Sequence, residues 1–249
     1  MIRFYAPELP GNTILPESDS GHAVRVLRMR EGDKIEAVDG RGTLYRCTLI
    51  DAHPKRAMVR VDESVEIPVP WTGMITVAIA PTKHNDRMEW LVEKLVEIGI
   101  DRIVPLRCRH SERKEINVER LEKIAVSAMK QSLKAVMPVI DPMTPFNEFI
   151  AECNNKAEAH QDAPLQRFIA YCDPSIPRKL LAREYQPGYN AIILIGPEGD
   201  FSPEEIRSAL DSGWMPVSLG DNRLRTETAA LVAVDTCHIV EELGLKNRS

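Results

Sequence analysis

The chain has 249 residues, enough for one large α/β domain or for a small domain plus a medium one, and either can bury a core. With 43% hydrophobic and 28% charged residues and a net charge of −5, it is globular in composition, which excludes a low-complexity or collagen-like chain. It contains no twenty-residue apolar span, and Met1-Ile2-Arg3-Phe4-Tyr5-Ala6-Pro7 has no basic region followed by an apolar core, so a cytoplasmic protein with no membrane partner is expected.

Residues 1–68 read as a small β-rich domain. Arg3 to Tyr5 reads as a short strand, and Ser18 to Met29, with Ala23, Val24, Val26 and Leu27 apolar, as one helix. Lys34 to Asp39 alternates at period two, Asp39-Gly40-Arg41-Gly42 is a hairpin turn signal, and Leu44 to Ile50 and Met58 to Val65 supply further strands. A small barrel is the natural way to close them. The prolines of Ile67-Pro68-Val69-Pro70-Trp71 cannot donate ladder hydrogen bonds, and they mark the boundary with a second domain over residues 73–249.

In that second domain apolar strands alternate with amphipathic helices, which predicts an α/β fold with a parallel sheet. The strands are Met74 to Ala80, Arg102 to Leu106, Phe168 to Cys172, Ala191 to Ile195 and Pro216 to Leu219. Helices are expected over Asp86 to Ile98, Val118 to Lys134, Pro145 to Cys153, Ser175 to Arg183, Ser202 to Leu210 and Thr226 to Leu243. Asp86 with Glu89, and Ser202 with Glu205, read as capping boxes. The polar stretch Asn154 to Pro164 reads as a loop.

The five cysteines, Cys47, Cys108, Cys153, Cys172 and Cys237, are odd in number and form no Cys-x-x-Cys pair, so reduced thiols are expected rather than a disulfide framework or a zinc site. Two stretches carry nine Lys/Arg against five Asp/Glu, Gly21 to Arg60 and Asp101 to Lys134. They read either as a basic face suited to a polyanion or as a solvated mixed-charge surface.

Two glycine-bearing turns follow apolar runs near the C-terminus. The first is Gly196-Pro197-Glu198-Gly199-Asp200-Phe201-Ser202, and the second is Leu219-Gly220-Asp221-Asn222-Arg223-Leu224-Arg225-Thr226-Glu227-Thr228-Ala229. Both sit at the C-terminal ends of predicted parallel strands, the edge at which open α/β sheets bind ligands. Gly196, Gly199 and Gly220 permit close approach of a planar ligand, or simply make tight turns. Neither turn carries a phosphate-loop or dinucleotide pattern, which disfavours a nucleoside triphosphate or NAD. Glu227, in the first turn of a helix, gains only about 0.3–1 kcal/mol from the helix dipole.

Gly196-Pro197-Glu198-Gly199 with Phe201-Ser202, followed by Leu219-Gly220 and Leu224-Arg225-x-Glu227-Thr228-Ala229, resembles the ribosomal RNA small subunit methyltransferase E family of the SPOUT superfamily. His22-Ala23-x-x-Val26-Leu27-Arg28 with Gly32-Asp33, Lys94 to Gly99, and Gln131-Ser132 extend the resemblance over nearly the whole chain. It implies a PUA-like RNA-binding barrel before a parallel α/β domain with a deep trefoil knot, although threaded loops are otherwise essentially absent from proteins. It also implies a homodimer that uses S-adenosyl-L-methionine to methylate N3 of one uridine in the decoding region of 16S ribosomal RNA, within the small ribosomal subunit. Asp200 stands where the family usually has a second glycine, and Lys134 where it often has arginine.

The resemblance assigns the cofactor pocket to Leu194, Gly196, Pro197, Glu198, Gly199, Leu219, Gly220, Leu224, Thr228 and Ala229. Arg225 is expected to orient the target base or its phosphate, or else to pair with Glu198 or Glu227, and either glutamate is a candidate for proton handling. His110, in a basic loop, is a candidate base or a phosphate contact. RNA binding is expected from Arg25, Arg28 and Arg30 and from Arg107, Arg109, Arg113 and Lys114, with no metal. The competing readings are a non-catalytic RNA-binding or ribosome-assembly module and a related methyltransferase of transfer RNA.

Overall fold

A computed structural model describes residues 2–159, 164–173 and 177–246. Packing divides the chain into two units, Met1–Pro70 with Ala125–Met137, and Trp71–Ile124 with Pro138–Ser249.

The first unit holds β1 (Arg3–Tyr5), α1 (Glu17–Gly21), β2 (Lys34–Val38), β3 (Thr43–Asp51) and β4 (Met58–Glu66). The sheet order is β1-β2-β3-β4, with β1 parallel to β2 and the other pairs antiparallel. The β2–β3 turn forms as its sequence predicts, because Asp39 Oδ1 accepts from Arg41 N at 2.8 Å and Thr43 N at 3.1 Å. The single helix expected over Ser18 to Met29 is instead α1 followed by a π-type turn, in which Leu27 N donates to His22 O. Gly21 and the β-branched Val24 and Val26 are weak α-helix formers, and Arg28, at φ 57°, breaks the run. Phe4, Leu9, Leu15, Ile35, Leu49 and Val59 fill the core.

Ala125–Met137 completes this unit. Lys130 Nζ pairs with the buried carboxylate of Asp19, Gly42 N donates to Ala135 O at 2.9 Å, and Met137 N donates to Gly40 O at 2.8 Å. Helical periodicity in this segment carries no sign of that membership.

The second unit contains β5 (Ile75–Ile79), α2 (Asn85–Ile98), β6 (Arg102–Arg107), the start of α3 (Val118–Gln131), β7 (Val139–Ile140), β8 (Thr144–Pro145), α4 (Phe146–Ala159) and β9 (Leu165–Ala170). There follow β10 (Lys179–Leu180), α5 (Leu181–Glu184), β11 (Asn190–Ile195), α6 (Pro203–Asp211), β12 (Met215–Ser218) and α7 (Thr226–Lys246). The sheet runs β10-β12-β9-β11-β5-β6-β7, with β8 on β6, and every pair is parallel. All of β5 is buried, as expected for a parallel sheet covered on both faces.

Local patterns succeed or fail here according to what competes for them. The Ser202–Glu205 box forms in both directions and starts α6. The Asp86–Glu89 box does not form: α2 begins at Asn85 without a side-chain cap, and Glu89 instead binds Arg120 at 2.9 and 3.1 Å. The stretch read as a loop from Asn154 is helical to Ala159, because Asn154 is held by Arg167 at 2.8 Å and Ser212 at 3.2 Å; residues 160–163 lie outside the described residues. Of the helix expected over Ser175 to Arg183, residues 175–176 lie outside them too, 177–178 have no regular structure, and the remainder is β10 and the start of α5. Among the described residues no helix is long and apolar enough to cross a membrane.

Candidate active site

In the sheet β9 is flanked by β11 on one side and β12 on the other, so the turns after these three strands meet at their C-terminal ends. A cleft of about 500 Å³ lies there, walled by Ala170 to Cys172, Ile195 to Asp200 and Val217 to Gly220 with Asn222 to Thr226. Arg87 from α2, Arg178 and Ala229 complete the wall.

The first of the two predicted turns is fixed from three directions. Asp200 adopts φ 61°, the left-handed region that glycine prefers and aspartate tolerates. Its Oδ1 accepts from Phe201 N and its Oδ2 from Cys172 N, both at 2.8 Å, so one carboxylate ties the turn after β11 to the turn after β9. Glu198 Oε1 accepts from Lys83 N at 3.2 Å, linking the turn to the loop after β5. His110 Nδ1 donates to Asp200 O at 3.1 Å, and an added Cβ at Gly199 would lie 3.1 Å from His110 Cβ, so the imidazole packs where a side chain would otherwise stand.

In the second turn Gly220 has φ 119° and an added Cβ would meet no protein atom within 4 Å, which leaves its face toward open space. Leu219, Leu224 and Ala229 line the cleft, and Arg225 lines it exposed, with no ion pair among the described residues. Glu227 is buried behind this wall, with Oε1 3.6 Å from Arg87 Nη1 and Oε2 unpartnered. Leu194 lies in the core and Thr228 off the cleft wall, so of the ten expected pocket residues these two are not brought to it.

Two other wall features carry no sequence motif. Arg178 stacks over the Tyr171 ring, 5.6 Å from its centroid, and donates to Tyr171 O. The Tyr171 hydroxyl is buried without a partner, and that burial pushes its pKa up. The strand predicted to end at Cys172 already put Tyr171 and Cys172 at the ligand-binding edge, so the same rule that found the other turns reaches them. Arg87 is set by tertiary packing, and Arg178 by Tyr171 seven residues before it.

The basic loop after β6 separates into two roles. Arg109 pairs with Glu204 at 3.1 Å and its N–H donates to Glu205, while Arg113 donates to Thr82 O at 3.1 Å and to Lys83 O at 2.5 Å. Arg107 and Lys114 are exposed, make no ion pair among the described residues, and border a depression of about 690 Å³ beside the start of α6. In the first unit Arg25, Arg28 and Arg30 are likewise exposed. Cys108, in the same loop, is buried and its thiol pKa is pushed up by desolvation, which makes it unreactive. Among the described residues no group of three or more His, Cys, Asp or Glu side chains is arranged to hold a metal ion.

A family model described as an RNA methyltransferase domain matches residues 70–238, and one described as an RNA methyltransferase PUA domain matches residues 15–62. A crystal structure named a probable rRNA-methyltransferase, from Porphyromonas gingivalis, is 46% identical, covers 98% of this chain and 100% of its own, and superposes with a TM-score of 0.89. The ribosomal RNA small subunit methyltransferase E of Neisseria gonorrhoeae, solved bound to S-adenosyl methionine, is 25% identical over 96% of this chain and 98% of its own, with a TM-score of 0.81. The curated ribosomal RNA small subunit methyltransferase E of Buchnera aphidicola is 28% identical over 228 residues, 88% of this chain and 85% of its own.

Proposed function

The chain belongs to the ribosomal RNA small subunit methyltransferase E family of RNA methyltransferases, and on that premise we propose that it transfers a methyl group from S-adenosyl-L-methionine to N3 of a uridine in the decoding region of 16S ribosomal RNA. Its fold is a PUA-like N-terminal unit and a parallel α/β unit of the SPOUT kind. The observation that carries the proposal is the cleft, in which three turns from adjacent parallel strands meet.

The residues present fit this cofactor. Gly220 leaves open space where a side chain would intrude, and the turns offer backbone N–H and C=O groups, which can read an adenine edge without side chains. Gly196, Pro197, Glu198, Gly199, Leu219, Gly220, Leu224 and Ala229 would hold it. When bound, the cofactor supplies an electrophilic methyl group on a sulfonium. The chain's own contribution is alignment, which in the best intramolecular cases lowers a barrier by about 7–11 kcal/mol. Arg225, whose guanidinium makes no ion pair among the described residues, orients the target base. Glu198 holds the first turn through Lys83 N, so its role is to position that turn.

Arg107 and Lys114, together with Arg25, Arg28 and Arg30, are the phosphate contacts in this reading, because their charges pair with no acidic group among the described residues. The same reading includes a trefoil threading through the turns after β11 and β12, and cytoplasmic action on the small subunit. It includes a homodimer as well, for which exposed Trp90 on α2 and exposed Ile239 and Leu243 on α7 offer an apolar surface.

Two measurements test this function. S-adenosyl-L-methionine at about 100 times its dissociation constant is expected to stabilise the fold by about 2.7 kcal/mol. Nucleoside mass spectrometry of small subunits from a strain lacking the gene is expected to show unmodified uridine that purified protein converts to N3-methyluridine. Binding without transfer would favour a ribosome-assembly module, and product on transfer RNA alone would reassign the substrate.

A further inference from the structure

The first turn of α2 carries Arg87 to the cleft wall. Its side chain is one-third exposed (33%) and lies 3.6 Å from Oε1 of Glu227, a residue only 7% exposed. The other carboxylate oxygen of Glu227 is buried and has no partner. A buried carboxylate with one distant cation and one bare oxygen is a poor device for stability. What it does provide is a fixed direction for a guanidinium that is not neutralised by a close two-point pair.

The charge of the wall indicates the ligand. Arg87, Arg178, Arg223 and Arg225 line the cleft together with Glu198 and Asp200, and Arg178 is held on Tyr171. Both acids already accept backbone hydrogen bonds, Glu198 from Lys83 and Asp200 from Phe201 and Cys172. The sulfonium of the cofactor is cationic and its single carboxylate can engage only part of this excess of guanidinium groups, so the remainder suits a second anion. If the transfer to uridine N3 is correct, an anion arises in the reaction itself. As the N3–H bond breaks, the proton passes to water and its electron pair stays on the ring, spread over N3, O2 and O4. That pair then forms the new N3–C bond as the methyl–sulfur bond breaks and its electrons return to sulfur.

We propose that Arg87 is a catalytic residue that stabilises the anionic uracil ring, and that Glu227 is the positioning residue that aims it. Removing a single charge-stabilising donor of this kind lowers a rate by about 10²–10³-fold. Single-turnover methylation of small subunits at saturating cofactor is expected to slow by about 10²-fold in Arg87→Ala. Arg87→Lys should fall between that variant and the wild type. Added guanidinium ion, kept below denaturing concentrations, should restore part of the Arg87→Ala rate and leave the wild type unchanged. Glu227→Gln should slow less, and the double variant should be no slower than Arg87→Ala, because Glu227 acts only through Arg87.

Calorimetry supplies the readout independent of turnover: cofactor affinity should stay within about twofold in all variants, since the ligand assigned to Arg87 is the base. An unchanged single-turnover rate in Arg87→Ala, weakened cofactor binding with an unchanged saturated rate, or additive losses in the double variant would each overturn the assignment. Should Arg87→Ala melt well below the wild type, Arg87→Gln keeps most of the volume and decides the same questions. A wild-type chain that binds cofactor and forms no N3-methyluridine fails the functional reading itself, a result separate from any of these.

Discussion

Replacing Asp200 with alanine removes one hydrogen bond within the first cleft turn, Phe201 N to Oδ1, and one that holds the turn to its neighbour, Cys172 N to Oδ2, both 2.8 Å long. A hydrogen bond to a charged group contributes about 1.5–3 kcal/mol, and the partial exposure of this site argues for the lower end, so Asp200→Ala is expected to cost about 3 kcal/mol. Asp200→Gly loses the same bonds but relieves a side chain at φ 61°, which recovers about 1 kcal/mol relative to alanine. Asp200→Asn keeps one acceptor oxygen and should lie between alanine and the wild type. Urea unfolding followed through the buried Trp214 reports on this unit, and calorimetry with S-adenosyl-L-methionine reports whether the loosened turn still binds. If the glycine variant is less stable than the alanine one, the left-handed backbone is not what Asp200 supplies. If the alanine variant matches the wild type, the two hydrogen bonds contribute nothing.

Arg107→Ala and Lys114→Ala should each reduce the slope of log affinity against log salt for RNA by roughly 0.7–0.9, whereas Arg113→Ala should leave the slope intact and lower the melting temperature by releasing Thr82 and Lys83. A thiol titration of the native protein at pH 8 is expected to show one fast-reacting group, Cys172, and five after denaturation. Burial raises Cys47 to about 11 and Cys237 to about 12, and Cys108 and Cys153 are buried as well. Hydrogen bonding to Arg120 holds the Glu89 carboxyl below its ordinary 4.5, so its contribution is present above pH 4.5 and disappears as pH falls through the lowered folded value. The stability gap between wild type and Glu89→Gln should therefore close on acidification below 4.5, and a gap that widens there would contradict the pairing.

The sequence is most readable where a pattern depends on neighbours a few residues away. The Ser202–Glu205 box and the Asp39 turn are local, and both form as expected. The same box pattern at Asp86–Glu89 is overruled by an arginine 31 residues downstream, and sequence spacing alone holds no trace of that competitor. The two glycine turns are readable because the ends of parallel strands are where ligands bind. The third wall of the cleft, at Tyr171 and Cys172, follows from the same rule, while Arg87 reaches the cleft only because α2 packs along α7. Charge is the least readable quantity: Arg109 and Arg113 look identical to Arg107 and Lys114 in sequence, but two of the four serve neighbouring carbonyl and carboxylate groups.

The return of Ala125–Met137 to the first unit has a consequence for how the protein is made. A ribosome delivers the chain from the N-terminus, and domains generally fold as they emerge. Here the strands of the first unit leave first, yet the lysine that pairs with Asp19 and the carbonyl that receives Gly42 N arrive more than sixty residues after β4 ends. Through that interval Asp19 has no cation beside it and one edge of the Gly40–Gly42 turn is bare. A fragment cut at the proline-rich boundary would keep those two defects permanently. One that carries residues 125–137 on a linker would repair them.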